Sequence, residues 1–192
     1  MRRAKAKRKT AEVKISVDLN LDGKGTARTE TGNRFLDHLI RTLARHSLID
    51  IEVEAVGDLK HHLSEDVALT LGEAICKALG NKKGIRRFGS AHVPMDDSLA
   101  RAAIDLGGRP YVCLDLKIQS SEIEDLKTED IEHFFASLAQ TSKSNIHVAT
   151  LYGTNDHHKV EAATKALALA MREAFSRDPR ISRTVPSVKG EL

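Results

Sequence analysis

Tryptophan is absent from this chain of 192 residues, aromatic residues make up 4% of it, and only two cysteines occur, Cys76 and Cys113. Two cysteines without a CxxC spacing, each inside a periodic segment, argue against a disulfide framework or a zinc site and suit reduced, buried thiols. No apolar run approaches the roughly 18 residues of a bilayer-spanning helix. No signal-type apolar stretch follows the basic N-terminus either. Neither membrane insertion nor secretion is expected, and the chain reads as cytoplasmic. Charge of one sign is also scarce: the net charge is +3, and six of the first nine residues are Lys or Arg. A basic arm can bind nucleic acid by releasing counterions. With so few aromatics and no stacking motif, a solvated tail over residues 1–9 and no nucleic-acid partner are expected instead.

What is present is periodicity that repeats. Val13, Ile15, Val17, Leu19 and Leu21 alternate with polar residues as in a half-buried strand. Asp22-Gly23-Lys24-Gly25 then offers a hairpin turn that returns the chain as a strand from Thr26 to Thr31. Helical spacing follows from Phe35 to Arg45, strand alternation from Ile49 to Val56, and a helix from His62 to Leu79 that stops at Gly80-Asn81. After Lys82-Lys83-Gly84 the pattern recurs. Strand-like segments at Arg87–Val93, Leu99–Leu106 and Tyr111–Leu116 precede a helix at Thr128–Thr141, a strand at Asn145–Tyr152 and a helix at His157–Phe175. The reading is α+β: two similar halves, each a small β-sheet covered on one face by a pair of helices, related by an internal pseudo-twofold. The division expected is a tail at 1–9, a first half at 10–81 and a second half at 82–192 with a C-terminal segment.

The chemistry sits at the start of the last helix in each half. His61-His62-Leu63-Ser64-Glu65 and His157-His158-Lys159-Val160-Glu161 share one tetrad pattern, HHxxE. Residues four apart stack on one helix face, so His61 lies over Glu65 and His157 over Glu161, while His62 and His158 swing roughly 100° away. A further histidine precedes each tetrad at nearly one distance: His38 lies 23 residues before His61, and His133 lies 24 before His157. Six histidines and two glutamates divide into two sets of three histidines and one glutamate, a donor set for two metals. The angles suggest His61, Glu65 and His158 on one metal and His157, Glu161 and His62 on the other. His38 and His133 complete the shells in an order left open. Four protein donors leave an octahedral ion two positions for substrate. His92 and His147, alone in strand-like segments, read as structural.

Seven segments in order carry a family resemblance: Phe35-Leu36-Asp37-His38-Leu39, His61-His62-Leu63-Ser64-Glu65-Asp66, Arg86-Arg87-Phe88-Gly89, Gly108-Arg109-Pro110-Tyr111, Glu132-His133-Phe134-Phe135, Gly153-Thr154-Asn155-Asp156-His157-His158-Lys159 and Pro186-Ser187-Val188-Lys189-Gly190. Together they resemble the imidazoleglycerol-phosphate dehydratases over nearly the whole chain. The resemblance implies a fold like domain 2 of ribosomal protein S5. It also implies dehydration of imidazoleglycerol phosphate to imidazoleacetol phosphate in histidine biosynthesis, two Mn2+ per site and a homo-oligomer of 24 subunits. The metal ligands it implies are the eight residues named above. Substrate contacts carry over to Glu12, His38, His46, His61, Glu65, Arg87, Arg109, His157, Lys165, Ser187 and Lys189. Arginine forks, ammonium groups and a hydroxyl suit a phosphate monoester. Four residues depart from the family pattern: Lys60 where an aspartate is common, Asn33 and Arg34 before the FLDH motif, and Val188 before Lys189.

The mechanism expected is proton loss from the carbon beside an imidazolate held by two cations, followed by departure of the neighbouring hydroxyl. Glu12 is the candidate base, with a metal-bound water or Glu161 as the alternatives. A two-metal hydrolase releasing phosphate is the alternative.

Overall fold

In a computed structural model, which describes residues 2–192, two four-stranded sheets enclose four helices. The first half comprises β1 (Arg3–Lys9), β2 (Val13–Asn20), β3 (Ala27–Glu30), α1 (Arg34–Ser47), β4 (Asp50–Gly57) and α2 (Lys60–Leu79). The second comprises β5 (Phe88–Met95), β6 (Ser98–Asp105), β7 (Tyr111–Asp115), the two-residue strands β8 (Glu122–Ile123) and β9 (Leu126–Lys127), α3 (Thr128–Ser142), β10 (Asn145–Tyr152) and α4 (Asp156–Phe175). A 3-10 turn at Pro179–Ile181 begins the C-terminal segment.

The two sheets have one topology. Their strand orders are β1-β2-β4-β3 and β5-β6-β10-β7, with the last pair of each parallel and the others antiparallel. Pairing registers make Arg3 equivalent to Phe88 and Val13 to Ser98, a shift of 85 positions. From the fourth strand of each sheet the shift is 95, as between Asp50 and Asn145. At the tetrads it is 96, as between His61 and His157.

Two expectations from sequence are corrected. Residues 3–9 are not a solvated tail: they form β1, the edge strand equivalent to β5, so the first half begins near Arg3. Ala6 points into the core at 2% exposure while Lys5, Lys7 and Lys9 face outward, an alternation that the basic run hides. Ion pairs from Lys5 to Asp18 (2.7 Å) and from Arg8 to Asp66 (2.8 Å) use part of the charge assigned to a free arm. Nor do β2 and β3 form a hairpin. β4 lies between them, and the turn is tied instead to Asp50, whose Oδ1 accepts from Lys24 N, Thr26 N and Thr26 Oγ1 at 2.7–3.0 Å.

Helices pack across the halves as well as onto their own sheets. α2 lies on β1 and β2, and α4 on β5 and β6. α2 also runs against α3 of the other half, and α1 against α4. Gly72 marks a close approach of α2 to α3: an added Cβ would stand 2.8 Å from the Leu138 carbonyl. Inward residues from both sheets and all four helices, among them Ile15, Val17, Leu36, Ile40, Leu71, Ile75, Phe134, Phe135 and Leu167, form one buried cluster. Burying each of the larger side chains contributes about 1.5–3 kcal/mol. The thiols are less hidden than expected: Cys113 is exposed and Cys76 is half-buried, because Cys113 falls on the outward register of β7. His92 and His147 likewise sit on the outer face of the second sheet. Among the described residues no helix is long and apolar enough to cross a membrane.

Candidate functional site

Crossed helix packing decides which donors meet. α1 carries His38 to the first turn of α4, where His38 Nε2 lies 3.1 Å and His157 Nε2 3.3 Å from the same oxygen, Oε2 of Glu161. α3 likewise carries His133 to the first turn of α2, where the rings of His133 and His61 lie 5.1 Å apart. The structure thus gathers two triads, His38–His157–Glu161 and His61–Glu65–His133, each with its donor atoms within 4.8 Å of one another. Each triad takes one histidine, His38 or His133, from the half opposite its tetrad. Two imidazole nitrogens and one carboxylate oxygen converging on a point suit a divalent ion that accepts nitrogen and oxygen ligands. Sequence left the place of His38 and His133 open; within one chain His38 stands beside the α4 tetrad and His133 beside the α2 tetrad.

His62 and His158 join neither triad. Their rings are 6.1 and 6.2 Å from those of His61 and His157, turned away as helical geometry requires. The combinations of His158 with the first tetrad and His62 with the second are therefore not formed within one chain.

Behind every tetrad histidine stands a carboxylate that sequence reading did not single out. His61 Nδ1 meets Asp130 at 2.6 Å, His62 Nδ1 meets Asp58 at 2.9 Å, His157 Nδ1 meets Glu124 at 3.1 Å, and His158 Nδ1 meets Asp97 at 2.6 Å. A carboxylate accepting from Nδ1–H fixes the ring and leaves the Nε2 lone pair free for a metal. Such residues are hard to see in a sequence. Asp130 sits in the first turn of α3, where an acid usually reads as complementing the helix dipole. Asp97 is held in turn by the backbone N–H of Asn155, by His158 and by Thr154, and its carboxyl lies well below the ordinary range.

Electrostatics at the α4 triad are set by Lys165, one turn beyond Glu161 and 2.8 Å from its Oε1. Burial alone would raise the Glu161 carboxyl. Hydrogen bonds from Lys165 and His38 outweigh it and hold the group below its usual value. Burial, reinforced by the Lys165 charge, lowers His46 near the end of α1. Hydrogen bonding to Asp58 raises His62. Glu12 lies in the loop after β1, 3.8 Å from His62 Nδ1 and outside both triads.

Of the expected phosphate ligands, Lys165 alone stands at a triad. Arg87 donates its backbone N–H to the carbonyl of Ala174, thirteen residues along α4 from Glu161. At 1.5 Å per residue that is about 20 Å away. Its guanidinium pairs with Asp105 at 2.7 Å and donates to the Pro186 carbonyl at 2.9 Å. Arg87 thereby holds the segment that carries Ser187 and Lys189. Arg109 lies by Asn145, at the end of β10 remote from His157. One chain therefore carries the triads and Lys165 at one end of its sheets and the remaining anion-binding candidates at the other.

The departures from pattern are stitched into the fold. Asn33 caps α1 by accepting from Leu36 N at 2.8 Å, and Arg34 N donates to the Asp125 carboxylate at 2.9 Å. Lys60 Nζ reaches the Asp125 carbonyl, also at 2.9 Å. Val188 is fully exposed.

Comparison with known proteins identifies the family. A family model described as Imidazoleglycerol-phosphate dehydratase matches residues 31–171. The imidazoleglycerol-phosphate dehydratase of Methanothermobacter thermautotrophicus is 52% identical over 196 residues, covering all of this chain and 98% of that protein. That of Paracoccus denitrificans is 48% identical with full coverage of both chains. Among solved structures, the enzyme from Staphylococcus aureus has a TM-score of 0.84 at 28% identity, covering 92% of this chain and 99% of that one. The enzyme from Pyrococcus furiosus, in complex with (S)-C348, has a TM-score of 0.84 at 35% identity, covering 97% and 99%. With most of its length matched and relatives near half identical from end to end, the chain belongs to the imidazoleglycerol-phosphate dehydratase family of hydro-lyases.

Proposed function

We propose that this protein dehydrates imidazoleglycerol phosphate to imidazoleacetol phosphate in histidine biosynthesis, in the cytoplasm, as a homo-oligomer of 24 subunits with two Mn2+ per site. The observation that carries the reading is the pair of triads built by crossed helices. His38, His157 and Glu161 would hold one ion, and His61, Glu65 and His133 the other. Two divalent ions would supply positive charge against the substrate's imidazole nitrogens, stabilising the charge that develops when a carbon-bound proton leaves.

Incomplete sets in one chain support assembly. His62 and His158 point away from both triads, and Arg87, Arg109, Ser187 and Lys189 lie far from them. On this reading, His158 of one subunit completes the His61–Glu65–His133 centre of another, and His62 completes the His38–His157–Glu161 centre. The anion-binding group comes from a further copy, its arginine forks and hydroxyl orienting the phosphate so that the reacting carbon is presented to a base. Glu12 travels with His62 and is the proposed base. Lys165 and His46 line the α4 centre, where an ammonium is placed to meet a substrate oxygen.

Incubation of Mn2+-loaded protein with imidazoleglycerol phosphate is expected to yield imidazoleacetol phosphate. Release of inorganic phosphate would favour the hydrolase reading instead. Glu12→Gln is expected to lower turnover by about 10²–10⁴-fold, the usual contribution of a general base, with metal content by mass spectrometry unchanged. Near-normal turnover would remove Glu12 from that role.

A further inference from the structure

The two triads have the same donors and different surroundings. Asp130, the residue behind His61, has a side chain only 2% exposed, and its hydrogen bond to Nδ1 is 2.6 Å long. At the equivalent position of the first half, three residues before His38 instead of His133, stands Phe35. Its ring packs 5.1 Å from that of His157 and offers no acceptor. His157 relies instead on Glu124, which is 60% exposed and 3.1 Å away. Its backbone holds a φ of 56° in the turn between β8 and β9.

The carboxylates differ in the same sense. Glu161 is paired with Lys165 at i+4, 2.8 Å away. The equivalent of Lys165 is Leu69, and among the described residues no Lys or Arg pairs with Glu65. A cation at one triad therefore meets an unneutralised glutamate and a histidine locked by a buried carboxylate. At the other it meets a glutamate already shared with an ammonium and a histidine held from a solvent-exposed turn. Like charge repels and an opposite unpaired charge attracts, most strongly away from bulk water. Under the subunit pairing proposed above, the imported histidines run the same way. His158 is backed by Asp97, itself fixed by Thr154 and Asn155, whereas His62 is backed by the more exposed Asp58.

We infer that the two metal centres are unequal: His61–Glu65–His133 takes its divalent cation first and keeps it, and His38–His157–Glu161 is the second, more easily vacated centre. This rests on reading the triads as metal centres. Asp130 is then a positioning residue for the first ion, and Lys165 the group that weakens the second.

The test is binding, not turnover. Full-length protein stripped with chelator is titrated with Mn2+ alone, the free ion being read from its electron paramagnetic resonance signal. Two classes of equal number are expected, with dissociation constants at least about tenfold apart. Asp130→Ala is expected to weaken the tight class by about 10–100-fold, the usual cost of losing a supporting carboxylate, and to spare the other class. Asp130→Asn, which keeps an acceptor, should recover part of the loss. Lys165→Met carries the opposite sign and does not depend on Asp130 variants folding: the weak class should tighten by about tenfold. One class of sites in the wild-type protein, equal loss from both classes in Asp130→Ala, or no tightening in Lys165→Met would overturn the inequality while leaving two metal centres standing. No uptake of Mn2+ by the wild-type protein would overturn both readings.

Discussion

Two equivalent connections lead from the parallel edge strand of each sheet into a helix, and they differ more than any other pair of segments. Between β3 and α1 the chain needs only residues 31–33; between β7 and α3 it runs through residues 116–127 and folds the small β8–β9 hairpin on the way. The shift between equivalent positions grows from 85 to 95 across it. That insertion is what joins the halves near the site. Asp125 caps α1 of the first half through Arg34 N and Phe35 N, its carbonyl receives Asn33 and Lys60, and its neighbour Glu124 backs His157. The repeat is kept at the residues of the triads and abandoned where those residues are supported.

The most severe way to probe the comparison is to remove one carboxylate donor from each half in turn. Glu65→Gln and Glu161→Gln are each expected to lower turnover by more than the roughly 10–100-fold typical of a residue that only supports a ligand. Retention of activity by either variant would mean that one triad is dispensable. Gly89→Ala tests packing next. An added Cβ would stand 2.0 Å from the Ala170 carbonyl of α4, so thermal denaturation should show a loss of about 1–3 kcal/mol or more from overpacking. Its equivalent in β1, Ala4, already carries that methyl group.

Asp50→Asn substitutes the residue that the second half has at the equivalent position, Asn145. Burial would raise the Asp50 carboxyl, but hydrogen bonds from Lys24, Thr26 and Asn20 lower it to about 2. A carboxyl depressed in the folded state adds stability that is complete above its ordinary value of 3.8 and is lost as pH falls through about 2. The variant should lose about 1 kcal/mol at neutral pH and show a weaker acid dependence between those values, measured by denaturant unfolding. Lys60→Asp should matter least. It gives up one exposed hydrogen bond to the inserted hairpin, so a shift within about 1 kcal/mol and unchanged metal content are expected.

Periodicity made the helices and most strands legible because each buries one regular face. The pairing of strands was less so. Nothing local distinguishes a β2–β3 hairpin from a chain that passes over β4, since the deciding bonds run from the 24–26 turn to Asp50, more than twenty residues on. β1 was hidden because alternating alanines carry a weak hydrophobic signal between lysines. Spacing marked out the histidines and glutamates that each tetrad brings to a triad, since i and i+4 on one helix turn is a local fact. It did not find the crossing of His38 and His133 to the opposite tetrads, nor Asp130 behind His61, because both depend on α2 meeting α3 and α1 meeting α4.

That crossing makes the repeat indivisible. A polypeptide cut in the turn between α2 and β5 would leave His38 on one fragment and Glu161 on the other, and would part His133 from Glu65 in the same stroke. Neither piece retains all three residues of either triad, so under the proposed metal role capture of an ion would report on whether the fragments have found each other, and a half chain acting alone would need a second copy of itself to rebuild one triad.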